Sequence, residues 1–72
     1  MERAALDAEL VRLHGRAEAA PRLSALHEIA AEGAEAGARR FHLTHAWVFA
    51  LVAGEEARAA RLEAALREAG GL

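Results

Sequence analysis

Residues 41–54 read FHLTHAWVFALVAG and hold both phenylalanines, the only tryptophan, the only threonine and two of the four histidines of a 72-residue chain. Wound at 100° per residue, Phe41, His45, Val48 and Val52 fall on one side, and Leu43, Trp47, Ala50 and Leu51 on the other. Both sides are apolar. A helix of this kind is expected to be buried from more than one direction, which predicts that it is the central helix and that Trp47 is a core side chain. At about fourteen residues it falls short of the roughly 20 apolar residues that cross a bilayer, so no membrane span is expected.

The sequence on either side supplies helices to pack on it. Leu6, Leu10 and Leu13 recur at i, i+4 and i+7 and predict an amphipathic helix from Glu2 to about Ala19, with Glu2 and Asp7 near its positive end. Pro21 marks a break and the first turn of a second helix, where its missing N–H is no loss. That helix is expected over residues 21–35, with Leu23, Leu26, Ala30, Gly33 and Ala34 inward and Ile29 and His27 on its flanks; Gly33 and Gly37 soften its end, with Gly37 as its stop and a helix continuing through to Arg40 as the alternative. The third helix runs from Ala38 to Gly54, where glycine suits a left-handed cap. Glu55 and Glu56 then favour the start of a fourth, whose inner face is Ala59, Leu62, Ala65, Leu66 and Ala69, with a Glu63–Arg67 pair outside and Gly70 and Gly71 at its end. The fold class is therefore all-α: one domain over residues 1–72, a small antiparallel bundle of about four short helices forming two helical hairpins.

Composition narrows the function. Leu, Ile, Val and Phe make up only 16 of the residues while alanine makes up 21, so helix is favoured but the core is thin. A chain this short with a thin core gains from association. There is no cysteine, which removes disulfides and thiolate metal sites. The acidic start MERAALDAEL is unlike a signal peptide, and a cytoplasmic location is expected. All nine basic residues are arginine, a bias that a GC-rich bacterial genome would produce. Net charge is −2, and Arg39–Arg40 is the sole basic cluster, so nucleic acid is not an expected partner.

The stretch ARRFHLTHAWVFALVAGEEARAARLEAALREAG, with its turn at Gly54 and Ala59 or Ala60 early in its second helix, resembles the tetratricopeptide-type helical-hairpin repeat. The resemblance implies a helical-hairpin binding module without catalysis.

Two residue groups could carry chemistry. His42 and His45 are spaced i, i+3, near enough to share a metal ion that His14, His27 or Glu35 could help to hold; a zinc site wants three or four ligands, and the competing expectation is a hydrogen-bonded, semi-buried His45 on the inner face with His42 at its margin. Arg39, Arg40 and His42 gather at the N-terminus of the third helix, where free N–H groups favour an anion. The two arginines oppose the helix dipole there, and Glu35 is the expected counterweight. Ser24 and Thr44 are the only hydroxyl side chains, Thr44 is expected to bond a carbonyl one turn back, and neither an enzyme nor a cofactor is expected. The expected role is a non-catalytic, self-associating interaction module whose partner is a protein or a second copy, with binding of an anion or a metal as the alternative. The expected contact faces are Ala4, Ala8, Val11 and Gly15 on the first helix and Ala57, Ala60 and Ala64 on the fourth.

Overall fold

A computed structural model describes residues 1–72. Four helices follow one another with no strand: α1 (Arg3–Leu13), α2 (Ala20–Glu32), α3 (Ala36–Val52) and α4 (Glu56–Glu68), with a short 3-10 turn at Ala17–Ala19 leading into α2. The all-α bundle expected from periodicity is the fold observed. Successive helices run antiparallel, as their partners show: Ser24 meets Ala46, His27 meets His42, and Arg40 at the start of α3 reaches the Ala69 carbonyl beyond the end of α4. No helix is long and apolar enough to cross a membrane.

Local chemistry sets the ends. Glu2 caps α1 by accepting hydrogen bonds from the Ala4 and Ala5 amides at 2.8 and 3.2 Å. α1 stops at Leu13, six residues earlier than expected, because Gly15 turns left-handed at φ 81° and the ladder cannot continue through it. α2 likewise ends at Glu32, with Gly33 as its cap, and Gly37 lies inside the first turn of α3 where a stop was expected. At the other end of α3 the expectation holds. Gly54 has φ 73°, its N–H donates to Leu51 O, and the Glu55 N–H donates to Ala50 O, closing the helix with two otherwise orphaned carbonyls satisfied.

The core is built of leucine and alanine and lies in two patches. Ala31, Leu43, Ala46, Ala50, Ala59, Leu62 and Leu66 fill the space among α2, α3 and α4. Leu6, Leu13, Ala19, Leu23 and Leu26 fasten α1 to α2. Between the patches Ser24 is fully buried, and its Oγ donates to the Ala46 carbonyl at 2.8 Å. A helix approach this close needs small side chains on both partners, and Ser24, Ala46 and Ala50 supply them. Outside, the Glu28 carboxylate takes both Arg61 guanidinium nitrogens and so ties α2 to α4. The expected Glu63–Arg67 pair forms at 3.1 Å.

α3 packs on both α2 and α4, as expected of a central helix, but α2 is the more deeply buried of the two. It buries Ala20, Leu23, Ser24, Leu26, His27 and Ala31, so Ser24, His27 and Ala31 lie deeper than the expected Gly33, which is exposed. α3 buries only Leu43, Ala46 and Ala50. Trp47 is half-buried against the α3–α4 patch and is not a core side chain of the expected depth. The reason is dimensional. The molecule measures 29 × 28 × 17 Å, and four helices of this length cannot enclose one of their number when α1 is spent on covering α2.

Packing at the Ser24–Ala46 approach has a measurable consequence. Ala46→Leu forces α2 and α3 apart and is expected to lower stability by about 1–3 kcal/mol. Val11→Ala, at an exposed position of α1, is expected to change it by less than about 0.5 kcal/mol. Urea unfolding followed by circular dichroism separates the two; equal effects would place Ala46 outside the core.

Candidate functional site

Two features of α3 stand out from the packing. One is its outer face. Phe41 is 55% exposed, Val48 44%, Leu51 55% and Val52 63%, so four of the larger apolar side chains of the helix reach solvent, while Leu43, Ala46 and Ala50 are buried. They form one stripe with Thr44, which is also exposed and donates its hydroxyl to the Arg40 carbonyl at 2.8 Å, as expected for a mid-helix threonine. Apolar residues scattered singly on a surface need no explanation, but a contiguous row marks a contact site.

The other feature is a cleft of about 420 Å³ among α1, α2 and α3, lined by Leu10, Val11, Leu23, Phe41, Phe49 and three histidines, His14, His27 and His45. His42 stands behind it, with His27 Nδ1 and His42 Nδ1 3.0 Å apart. The His27 ring lies 5.1 Å from that of His45 and stacks at 5.8 Å on Phe49, while Phe41 packs on His45 at 4.3 Å. All four histidines and both phenylalanines of the chain thus meet in one place. The sequence signal for it is the spacing of His42, His45 and Phe49, i, i+3 and i+7, which sets them on one flank of α3.

Burial governs the protonation of this cluster. Desolvation, followed by the charges of His45 and His42, lowers the pKa of His27 from 6.5 to about 4. His42 is lowered chiefly by burial, then by His45 and Arg3, with Asp7 opposing. The short Nδ1–Nδ1 contact requires one ring to donate and the other to accept, so protonating both would set two N–H groups against each other. His45 Nδ1 lies 2.9 Å from the Phe41 carbonyl and must carry a proton there, which leaves its Nε2 free.

The residues expected to bind ligands are distributed as follows. His42 and His45 are both half-buried and both neighbour His27, but no group of three or more His, Cys, Asp or Glu side chains is arranged to hold a metal ion. Glu35 lines a different cleft, of about 490 Å³, with Arg3, Asp7 and His42. Arg39 and Arg40 are exposed and are not brought to His42: Arg40 donates to the Ala69 carbonyl at 3.5 Å, so the C-terminal end of α4, and not Glu35, is what its charge meets. Ala4, Ala8 and Val11 are exposed on α1, and Ala57, Ala60 and Ala64 on α4, whereas Gly15 lies beyond the end of α1 in the left-handed turn.

Comparison of the chain with protein-family models, with curated proteins and with solved structures finds no match.

The neutral histidine cluster makes stability depend on pH. The unfolded chain protonates His27 near pH 6.5 and the folded chain only near pH 4, so between these values the unfolded state binds more protons. Stability is expected to be complete above about pH 6.5 and to fall by up to about 3 kcal/mol as pH drops toward 4. Glu9 and Glu28, held below the usual carboxylate range by Arg12 and Arg61 respectively, contribute stability that is lost only below about pH 4.5. Unfolding midpoints at pH 7 and pH 5 test this: His27→Phe is expected to flatten the difference, and a wild type equally stable at both values would contradict it.

Proposed function

We propose that the chain is a small, non-catalytic helical interaction module that associates through protein contact, and that the outer face of α3 is its contact surface. The observation that carries this reading is the exposed row of Phe41, Val48, Leu51 and Val52 on a helix with no Asp, Glu, Lys or Arg between Arg40 and Glu55. A domain whose buried apolar residues are all leucine or alanine, and which leaves these larger side chains of α3 outside, has hydrophobic surface available for contact there. The likeness of α3–α4 to a tetratricopeptide-type hairpin agrees with a binding role. The absence of cysteine suits the cytoplasm, and the arginine bias suits a bacterial source.

The exposed alanines of α1 and α4 offer little area per residue and rank below α3 as contact faces. The alternative reading, an anion or metal ligand, draws on the clustering of His27, His42 and His45. It lacks a third convergent ligand and the convergence of Arg39 and Arg40 on His42.

Light scattering at micromolar concentration tests the proposal. The wild type is expected to associate, Leu51→Glu to be monomeric but still helical by circular dichroism, and Ala8→Glu and Ala60→Glu to associate as the wild type does. Loss of association in Ala8→Glu or Ala60→Glu alone would move the contact to α1 or α4.

A further inference from the structure

We propose that α1 is a detachable cover over the histidine seam between α2 and α3, released by acid while α2, α3 and α4 stay folded together. The seam is the His27–His42 contact, and α1 forms a wall of the cleft on either side of it: Leu10, Val11 and His14 beside His27, and Arg3, Leu6 and Asp7 beside His42.

Of the four helices α1 has the weakest hold. It sends Leu6 and Leu13 into the patch with Ala19, Leu23 and Leu26, and adds nothing to the patch among α2, α3 and α4. No hydrogen bond joins α1 to another helix, and the one ion pair that reaches across, Glu9 to Arg22, is 3.8 Å long. The other three helices are tied by Ser24 to Ala46, by Glu28 to Arg61 and by Arg40 to the Ala69 carbonyl. A segment with few buried contacts opens at lower free energy than the rest of a fold. Gly15, left-handed and with open space around its Cα, is the joint on which α1 can swing away.

Protons act on this opening because of what lies beneath α1. The two Nδ1 atoms, 3.0 Å apart, share one hydrogen, and the His45 ring 5.1 Å from His27 adds a further site for like charge. The other ionisable groups facing the seam are Arg3, Asp7 and His14 of α1, Glu35 before α3 and the amino group of Met1, while α4 brings none. Asp7 favours charge on His42 and Arg3 opposes it, and both leave with α1, so their effects offset. What opening changes is the water around the rings. Wetted, they take up protons that the closed form refuses, so the open form gains as pH falls. Its departure uncovers Leu23 and Leu26 of α2 beside Phe49 of α3, an apolar groove.

Amide hydrogen exchange on the full chain, resolved by residue with NMR and expressed as protection relative to the unfolded rate at each pH, tests the proposal. The amides of residues 7–13 are expected to be less protected than those of Ala46, Ala50 and Leu62 at both pH 7 and pH 5. Between these values α1 is expected to lose about 20-fold in protection, the change that follows when wetting returns His27 from about 4 to its usual 6.5. His27→Phe, which keeps a ring against Phe49, is expected to reduce that loss to less than about 5-fold. Equal protection of α1 and α3 would show that the chain opens as one unit and would overturn the proposal. So would α1 protection that is the same at pH 7 and pH 5, which would mean that α1 does not keep the histidines dry. Should His27→Phe not fold, these two comparisons on the wild type decide alone.

Discussion

The approach of α2 to α3 at Ser24 and Ala46 is the constraint on which the remaining packing depends. The Ser24 hydroxyl, fully buried, is satisfied by the Ala46 carbonyl, so a polar group in the core costs little and the two backbones are held close. That closeness admits only alanine-sized side chains between them. α3 must then turn Ala46 and Ala50 inward with Leu43, and the opposite side of the same helix, which carries Phe41, Val48 and Leu51, is turned out. Glu28, bonded to Arg61 and within ion-pair reach of Arg58, closes the far side of this arrangement by holding α4 against α2. Within α3, Ala46 and Ala50 lie inside with Leu43, while Phe41, Val48, Leu51 and Val52 lie outside.

The histidine cluster is a second consequence of the same register. Once Ser24 faces Ala46, His27 lies one turn further along α2 and His42 one turn back along α3, so the rings must meet. They do so in a place with little water, which is why they stay neutral and why one of them accepts from the other. Phe41 belongs to both features. Its ring packs on His45 at the mouth of the cleft and is also the first member of the exposed row, so anything that covers the row also closes that end of the cleft.

The number, order and class of the helices were legible in the sequence, because leucine spacing, Pro21 and Gly54 are local signals that tertiary contacts did not override. Thr44 and the Glu63–Arg67 pair were legible for the same reason. What the pattern could not give is which of two apolar sides of α3 is inside, since hydrophobicity alone favours the wrong one: Val48 and Val52 are more apolar than Ala46 and Ala50. The choice is made by the size of what α2 presents, and Ser24 reads in sequence only as a hydroxyl. The ends of α1 and α2 were missed because Gly15 and Gly33 compete with strong helix formers on both sides, and only the observed backbone angles show which glycine stops a helix. Of the candidate site, the pairing of His42 with His45 was visible as i, i+3 spacing. His27 joins them through an antiparallel register that no local signal contains.

The account turns on the outer side of α3 being the face that meets a second copy. An isotope-filtered nuclear Overhauser experiment on a mixture of labelled and unlabelled chains measures this directly, because it detects only contacts between copies. Cross-peaks between copies are expected from the methyl groups of Val48, Leu51 and Val52 and from the Phe41 ring. Intermolecular cross-peaks confined to α1 or α4, with none from Val48 or Phe41, would contradict it.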